Sequence, residues 1–535
     1  MIVDGESIAS GDRRRADVCI LGAGAAGITL ARELEGTGLT VIVLESGAET
    51  LEPDIQDLAR GEVVGEPLGF VDNPATLDSV RLRQLGGTTN HWSGFCRPFS
   101  EVDMEVRPEL ALSGWPFPRS ELDPWYEAAH PILRIGPNRF DWQYWAEAHG
   151  LGEAVLDTDL VRTEVFQVST TNFREVYRDE LDAARDVTVH LRSNAVDLVL
   201  DAAGDRVVEV RVKTLGGNEW SVVEPRVVVA GLGGIENARL LLAARSQREA
   251  GLGNEHDQVG RYFCEHFQVP AGIAVADADP DAVAALYEGS DTPLTGEDGA
   301  PLPYVVQGLL ALTSQAVRER GLLGLGCQLV VGAYAEERPR AESGLSISQV
   351  AALGNAVGTT RPRTSLYLLA SAEQELNPRS RVRLGSGTDA LGLPTTVLDW
   401  QYTERDRSSI IDGLTLIGEE LGRAGVGRLQ FSPGSIELEE TNGLLPLVGG
   451  LAVDPDASDP TTFPMGIGFH HMCTTRMATD PREGVADAQG RVHSVDNLYL
   501  AGSSVFSTAG ANTPTYSIVA LTLRLADHLQ REVLA

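Results

Sequence analysis

The 535 residues, 43% hydrophobic and 22% charged, exceed one ordinary domain and predict two intertwined units or one large two-layer body with ample core. A formal charge of −33 excludes nucleic acid as a partner, because binding phosphates needs a basic face. The sequence has no run of about eighteen apolar residues, so no membrane-spanning helix is expected.

Among 43 basic residues Lys213 is the one lysine, an arginine bias that guanine- and cytosine-rich coding produces and that names no reaction. The five cysteines (Cys19, Cys96, Cys264, Cys327, Cys473) are scattered, without CxxC or Cys/His ligand spacing. Neither a disulfide framework nor a structural metal is expected, and a reducing cytoplasm fits best.

At the start, Arg13–Arg15 and the apolar stretch Val18–Ala31 imitate an export signal. Asp17 and the glycines of that stretch favour a buried strand running into a helix. The strand ends at Gly22-Ala23-Gly24-Ala25-Ala26-Gly27, a GxGxxG turn, and a second strand, Thr40–Leu44, ends at Glu45 and Ser46. In such a βαβ unit the glycines serve the tight turn, the close approach of a pyrophosphate and the packing of helix on strand. The helix N-terminus favours negative charge, and the acid can accept from ribose hydroxyls. A lone glycine turn is weak evidence; the full unit with its acid predicts a dinucleotide site.

Further along, Val187–Leu191 and Val196–Leu200 read as a strand pair extending the same sheet. Arg226–Ala230 reads as a buried strand entering a glycine turn at Gly231 and a helix. Ala230 and Gly231 are therefore candidate dinucleotide contacts. Residues 268–462 read as β-rich and punctuated by prolines, with a loop rich in Gly, Asp and Glu (Glu288–Gly299) and a helical run near Arg407–Arg423.

The segment Leu85-Gly86-Gly87-Thr88-Thr89-Asn90-His91-Trp92-Ser93-Gly94 resembles the flavin-contacting loop of the glucose-methanol-choline (GMC) oxidoreductases. Gly114–Phe117, Gly233–Arg239 and Val259–His266 resemble further segments of that family, and the block from His470 to His528 is the most telling. The matches bracket nearly the whole chain. The resemblance implies an α/β fold: a Rossmann-type FAD-binding domain from residues 1–115, 186–267 and 463–535, and an α+β substrate-binding domain from 116–185 and 268–462, with a β-sheet over the flavin.

Oxidising an alcohol with a flavin needs a base for the hydroxyl proton while the carbinol hydride goes to flavin N5. The resemblance places His470 as that base, with Asn512 as the partner that steers the hydroxyl. Thr513 is the alternative, because Pro514 follows it directly where relatives more often read Asn-Pro-Thr. His471 is read as a packing residue, with a catalytic part left open. Cys473 stands where the family's HxxGT pattern has glycine, so an altered turn is expected. By the same resemblance Thr88, Thr89, Asn90 and Trp92 face the flavin, Val196 touches the adenine through its backbone, and Gly502 and Ser503 form the last flavin turn. His91 either bonds the flavin covalently or merely lies near it. Glu236 and Arg239 read as helix-surface or FAD-domain contacts.

The implied function is FAD-dependent oxidation of an alcohol on a sugar or glycoside, with oxygen or a quinone-like acceptor reoxidising the flavin. A homo-oligomer is left open. The rivals are a flavin-bound lyase without net redox and oxidation of a non-sugar alcohol, such as a sterol or natural product.

Overall fold

Val18–Leu21, Val41–Leu44 and Val227–Ala230 are four-residue strands buried at every position. Such runs, with no face for water, belong at the centre of a parallel sheet covered by helices on both sides. The computed structural model describes residues 1–70, 73–150, 154–276, 286–287, 302–331, 364–430 and 466–535. These strands lie together in a six-stranded sheet ordered Ile2–Asp4, Val187–Leu191, Val41–Leu44, Val18–Leu21, Val227–Ala230, Leu498–Leu500, with every neighbouring pair parallel. Its strands come from both ends of the chain, so the Rossmann-type body is assembled from discontinuous segments. The fold is α/β in this part.

The expected strand pair after residue 187 divides between two sheets. Val187–Leu191 joins the parallel sheet, whereas Asn194–Leu200 leaves it for a second sheet with Val207–Lys213, Glu219–Val223 and Arg13–Arg15. Arg192, at φ 53°, makes the bend between them. Asn194–Leu200 alternates buried and half-buried positions, the pattern of a strand covered on one face only. The signal-like run is likewise divided, since Arg13–Arg15 is an edge strand here while Val18–Leu21 is central in the other sheet.

A third, antiparallel sheet carries the α+β part. Its order is Gly427–Gln430, Phe267–Ala276, Thr364–Ala372, Leu325–Val331, Tyr304–Leu312, Val161–Ser169, Phe95–Cys96, with Gly466–Ile467 also pairing to Phe267–Ala276. That last pairing sets Phe267 opposite Ile467, which brings the residues just before Phe267 beside those just after Ile467. A hairpin, Arg381–Thr388 and Pro394–Trp400, pairs with Gly61–Gly65. The expected helix near Arg407–Arg423 begins three residues earlier, at Glu404, because Thr403 and Asp406 close a capping box there. The loop Glu288–Gly299 and the boundary at residue 463 lie outside the described residues. Among the described residues no helix is long and apolar enough to cross a membrane.

Candidate active site

Three helices, Ala25–Leu34, Gly233–Ala243 and Thr515–His528, begin at the wall of one cavity of about 380 Å³. Free N–H groups and the positive end of each helix dipole make such a convergence a seat for negative charge. Gly22 and Gly24 line the wall; Gly22 has φ 94°, and a Cβ on Gly27 would lie 1.9 Å from the Gly22 carbonyl oxygen. Only glycine at position 27 lets the first helix approach its strand this closely. Glu45 lines the same wall, its carboxylate accepting from the Ala23 N–H at 2.7 Å and the Gly47 N–H at 2.8 Å. Burial raises its carboxyl above the usual range, against the hydrogen bonds from Gly47 and Ala23.

Arg81 and Arg83 also line the cavity and close on Glu236 at 2.8 and 2.7 Å; Arg239 bridges Glu236 and Asp389. Despite burial, the arginines hold the Glu236 carboxyl down at about 2. Among the described residues the Nε and Nη1 atoms of Arg81 and the Nε of Arg83 have no hydrogen-bond partner, nor has the Oδ1 atom of Asn194, another wall residue. A cradle of glycines, a carboxylate at the end of the second strand, converging helix ends and unsatisfied donors and an acceptor fit a dinucleotide such as FAD.

A cluster of histidines lies beside the same cavity. His470 lines the wall, and its Nδ1 is 2.8 Å from the Nδ1 of His266. The Nε2 of His266 faces the carbonyl oxygens of Gly510 at 2.9 Å and Ala509 at 3.3 Å. Among the described residues the Nε2 of His470 makes no hydrogen bond. The backbone N–H of His470 donates to Glu265 Oε2 at 2.7 Å, and the other carboxylate oxygen is 3.3 Å from the Nε2 of His471. Burial lowers all three imidazoles, His266 to about 4 and His471 to about 3, and raises the Glu265 carboxyl to about 8. Gly468 lies under the His470 ring, where a Cβ would be 2.6 Å from Nδ1. Phe469 and Cys473 bracket the two histidines at φ 58° and 69°. A left-handed backbone at position 473 is the conformation glycine adopts without strain, which explains the glycine of the family pattern.

Of the residues singled out from sequence, Gly22, Gly24, Ala25, Ala26, Glu45 and Ser46 line the cavity. Gly87, Thr88, Thr89, His91 and Trp92 line it too, with Gly231, Gly502 and Ser503. His470, His471, Thr513 and Pro514 complete the set at the wall.

Six do not reach the wall. Gly27 and Ala230 lie beneath it, in helix and strand packing. Gly86 and Asn90 shape the loop: Gly86 turns at φ 89°, and the Asn90 amide donates to the carbonyls of Leu85 and Gly87. Val196 packs with Leu58 and Leu391, and it is Asn194 and Ala195 that line the cavity. Asn512 is turned away: its Oδ1 accepts from Arg97 at 2.9 Å and its Nδ2 donates to the Pro98 carbonyl at 2.8 Å. At the cavity wall itself it is Thr513, not Asn512, that is present. Glu236, half-buried, and Arg239, buried, lie at the cavity rather than on an open helix surface. Sequence reasoning assigned no role to Glu265 or His266; the adjacent acid and imidazole in the segment Val259–His266 were the available signal.

The fold and site together define a Rossmann-type scaffold whose cavity fits a dinucleotide. The GMC oxidoreductase family model matches residues 377–522. The chain is 25% identical to 6'''-hydroxyparomomycin C oxidase of Streptomyces lividus, over 96% of this chain and 92% of that one. It is 22% identical to 2-methyl-1,2-propanediol dehydrogenase of Mycolicibacterium austroafricanum, over 96% and 95%. Its fold resembles that of pyridoxine 4-oxidase from Mesorbium loti, with a TM-score of 0.56, 17% identity and coverage of 96% and 99%. The C-terminal residues 377–522 carry the GMC oxidoreductase match, and the relatives that span nearly the whole chain are named as an oxidase and a dehydrogenase.

Proposed function

We propose that this chain is a GMC oxidoreductase that oxidises a CH–OH group of a hydroxyl-rich small molecule, a sugar or glycoside. The observation that carries the reading is the His470 ring, whose Nε2 meets no protein partner among the described residues, at the wall of a cavity seated on three helix N-termini. FAD, when bound, accepts the hydride that the carbinol carbon gives up. The glycine turn at Gly22–Gly27 would hold its pyrophosphate, Glu45 its ribose, and the loop Gly87–Trp92 its flavin side. His470 Nε2 takes the hydroxyl proton; burial keeps this imidazole well below 6.5, so it is neutral and able to accept at pH 7. Thr513 borders the same cavity and is the candidate for steering the hydroxyl.

The two relatives act, by name, on an aminoglycoside and on a vicinal diol, and dense hydroxyl groups are what those substrates share. Segments 1–115, 186–267 and 463–535 are proposed as the FAD-binding domain and 116–185 and 268–462 as the substrate-binding domain. The helix starts at residues 25, 233 and 515 support the first assignment. A cytoplasmic location is supported by the five cysteines, all free. Oxygen or a quinone is the proposed final acceptor.

The test is to purify the yellow protein and add sugars, glycosides and simple diols without oxygen. Bleaching of the visible flavin band by a sugar, reversed on admitting air, establishes an oxidase; bleaching that air does not reverse points to a quinone-like acceptor. No bleaching by any alcohol, from protein that holds FAD, overturns the reading and puts the lyase first. Acid precipitation of the same preparation shows, by colour in pellet or supernatant, whether His91 carries the flavin covalently.

A further inference from the structure

His266 is fully buried and does not line the cavity, yet its ring touches the base. Carbonyl oxygens only accept hydrogen bonds, so the Nε2 that faces Gly510 and Ala509 must carry a proton. A second proton would make His266 a buried cation. The carboxylate that acts on it, Glu373, is already engaged by Arg107 through two hydrogen bonds. An unpaired buried charge is costly, and burial accordingly lowers this imidazole to about 4. His266 is therefore neutral, and its Nδ1 has a lone pair and no proton.

That lone pair points at His470 Nδ1 from 2.8 Å. Two bare nitrogens would repel, so His470 Nδ1 must be the donor. A neutral imidazole has one N–H, and with the proton on Nδ1 the Nε2 is left bare. The other groups facing His470 do not disturb this order. Glu265 accepts from its backbone N–H, His471 is kept neutral by its burial, and Gly468 presents only backbone beneath the ring.

We propose that His266 is a positioning residue that fixes the tautomer of His470, so that the ring presents Nε2 to the cavity as a proton acceptor. The inference rests on the reading of His470 as the base, and it goes beyond it by naming what prepares that base. Without His266 the His470 ring is free to place its proton on Nε2, the tautomer that free imidazole side chains favour, and a ring so protonated cannot accept.

Two amide substitutions separate this role from a merely structural one. Asparagine places its amide oxygen where His266 Nδ1 stands, keeping the acceptor for His470 and losing the bond to Gly510. Glutamine places its amide near the Nε2 position, keeping the Gly510 bond and losing the acceptor. The measurement is a long-range proton–nitrogen NMR spectrum of the FAD-bound protein labelled with nitrogen-15 histidine, with His470 assigned through its loss in His470→Gln.

The wild type is expected to hold the His470 proton on Nδ1. His266→Asn should keep it there, and His266→Gln should move it to Nε2. A wild-type proton on Nε2, or a His266→Gln protein that keeps the wild-type tautomer, overturns the proposal whether or not any alcohol is oxidised. With the alcohol that bleaches the wild-type flavin, His266→Gln should slow bleaching at least about 100-fold, the lower end of a general base's contribution. His266→Asn should stay within about tenfold of the wild type, a small part of that contribution. A role confined to anchoring Gly510 would reverse that order and overturn the proposal. A tautomer that changes in His266→Gln without slower bleaching supports the tautomer control and removes His470 from the role of base.

Discussion

Asn512 and Thr513 are neighbours with opposite duties. The Asn512 amide ties Arg97 to the Pro98 carbonyl, while Thr513 borders the cavity and donates its hydroxyl to the Phe95 carbonyl. Removing one partner of buried hydrogen bonds leaves the others unsatisfied. Asn512→Ala should therefore lower stability by about 1–3 kcal/mol, read from the urea midpoint. It should leave the rate of flavin bleaching within a few-fold of the wild type, while Thr513→Val should slow it more. An Asn512→Ala protein of normal stability and much slower bleaching would return the amide to the chemistry. The choice between the two was open in the sequence, because both are polar and adjacent. Only the direction each side chain takes in the folded chain separates them.

Among the elements, the helix Ala25–Leu34 depends on two glycines for different reasons. At Gly27 a Cβ would lie 1.9 Å from the Gly22 carbonyl oxygen, whereas at Gly24 its nearest neighbour would be Gly87 Cα at 3.9 Å. Gly27→Ala must push the helix off its strand, an overpacking that costs about 1–3 kcal/mol or more. It should lower both the thermal midpoint of the flavin-free protein and the FAD content after purification. Gly24→Ala, whose added methyl meets open cavity, should lower FAD content alone. Equal thermal loss in both variants would mean that the turn serves the fold rather than a ligand.

The pairing of Phe267 with Ile467 works at the same scale, because it brings His266 and His470 together across 204 residues of sequence. No local pattern announces that contact. Each histidine is legible as a candidate by its neighbours, but their meeting is a property of strand register.

For the whole molecule the formal charge of −33 is the dominant long-range quantity. Like charges repel across the folded surface, and salt screens them within about 10 Å at 0.1 M. Many arginines are already paired with carboxylates at the surface, and exposed pairs of this kind each contribute little. The net effect of added salt is therefore relief of repulsion. The thermal midpoint should rise from about 10 mM to about 0.5 M sodium chloride, a range over which the screening length falls severalfold. A midpoint that falls would mean that attractive pairs outweigh the excess of acid.

The sequence by itself determined the βαβ unit and the glycine turn with its acid, and it nominated the loop Gly87–Trp92 and His470 as candidates. These are local matters: a positive φ that only glycine adopts freely, a short apolar run that must be buried on both faces, an imidazole in a recognisable setting. Tertiary structure decided what depends on distant segments meeting. It sent Asn194–Leu200 into a second sheet, turned Asn512 from the cavity, and gathered Arg81, Arg83 and Arg239 around Glu236. It also set His266 against His470, since a hydrogen bond between side chains exists only where packing brings donor and acceptor within about 3 Å.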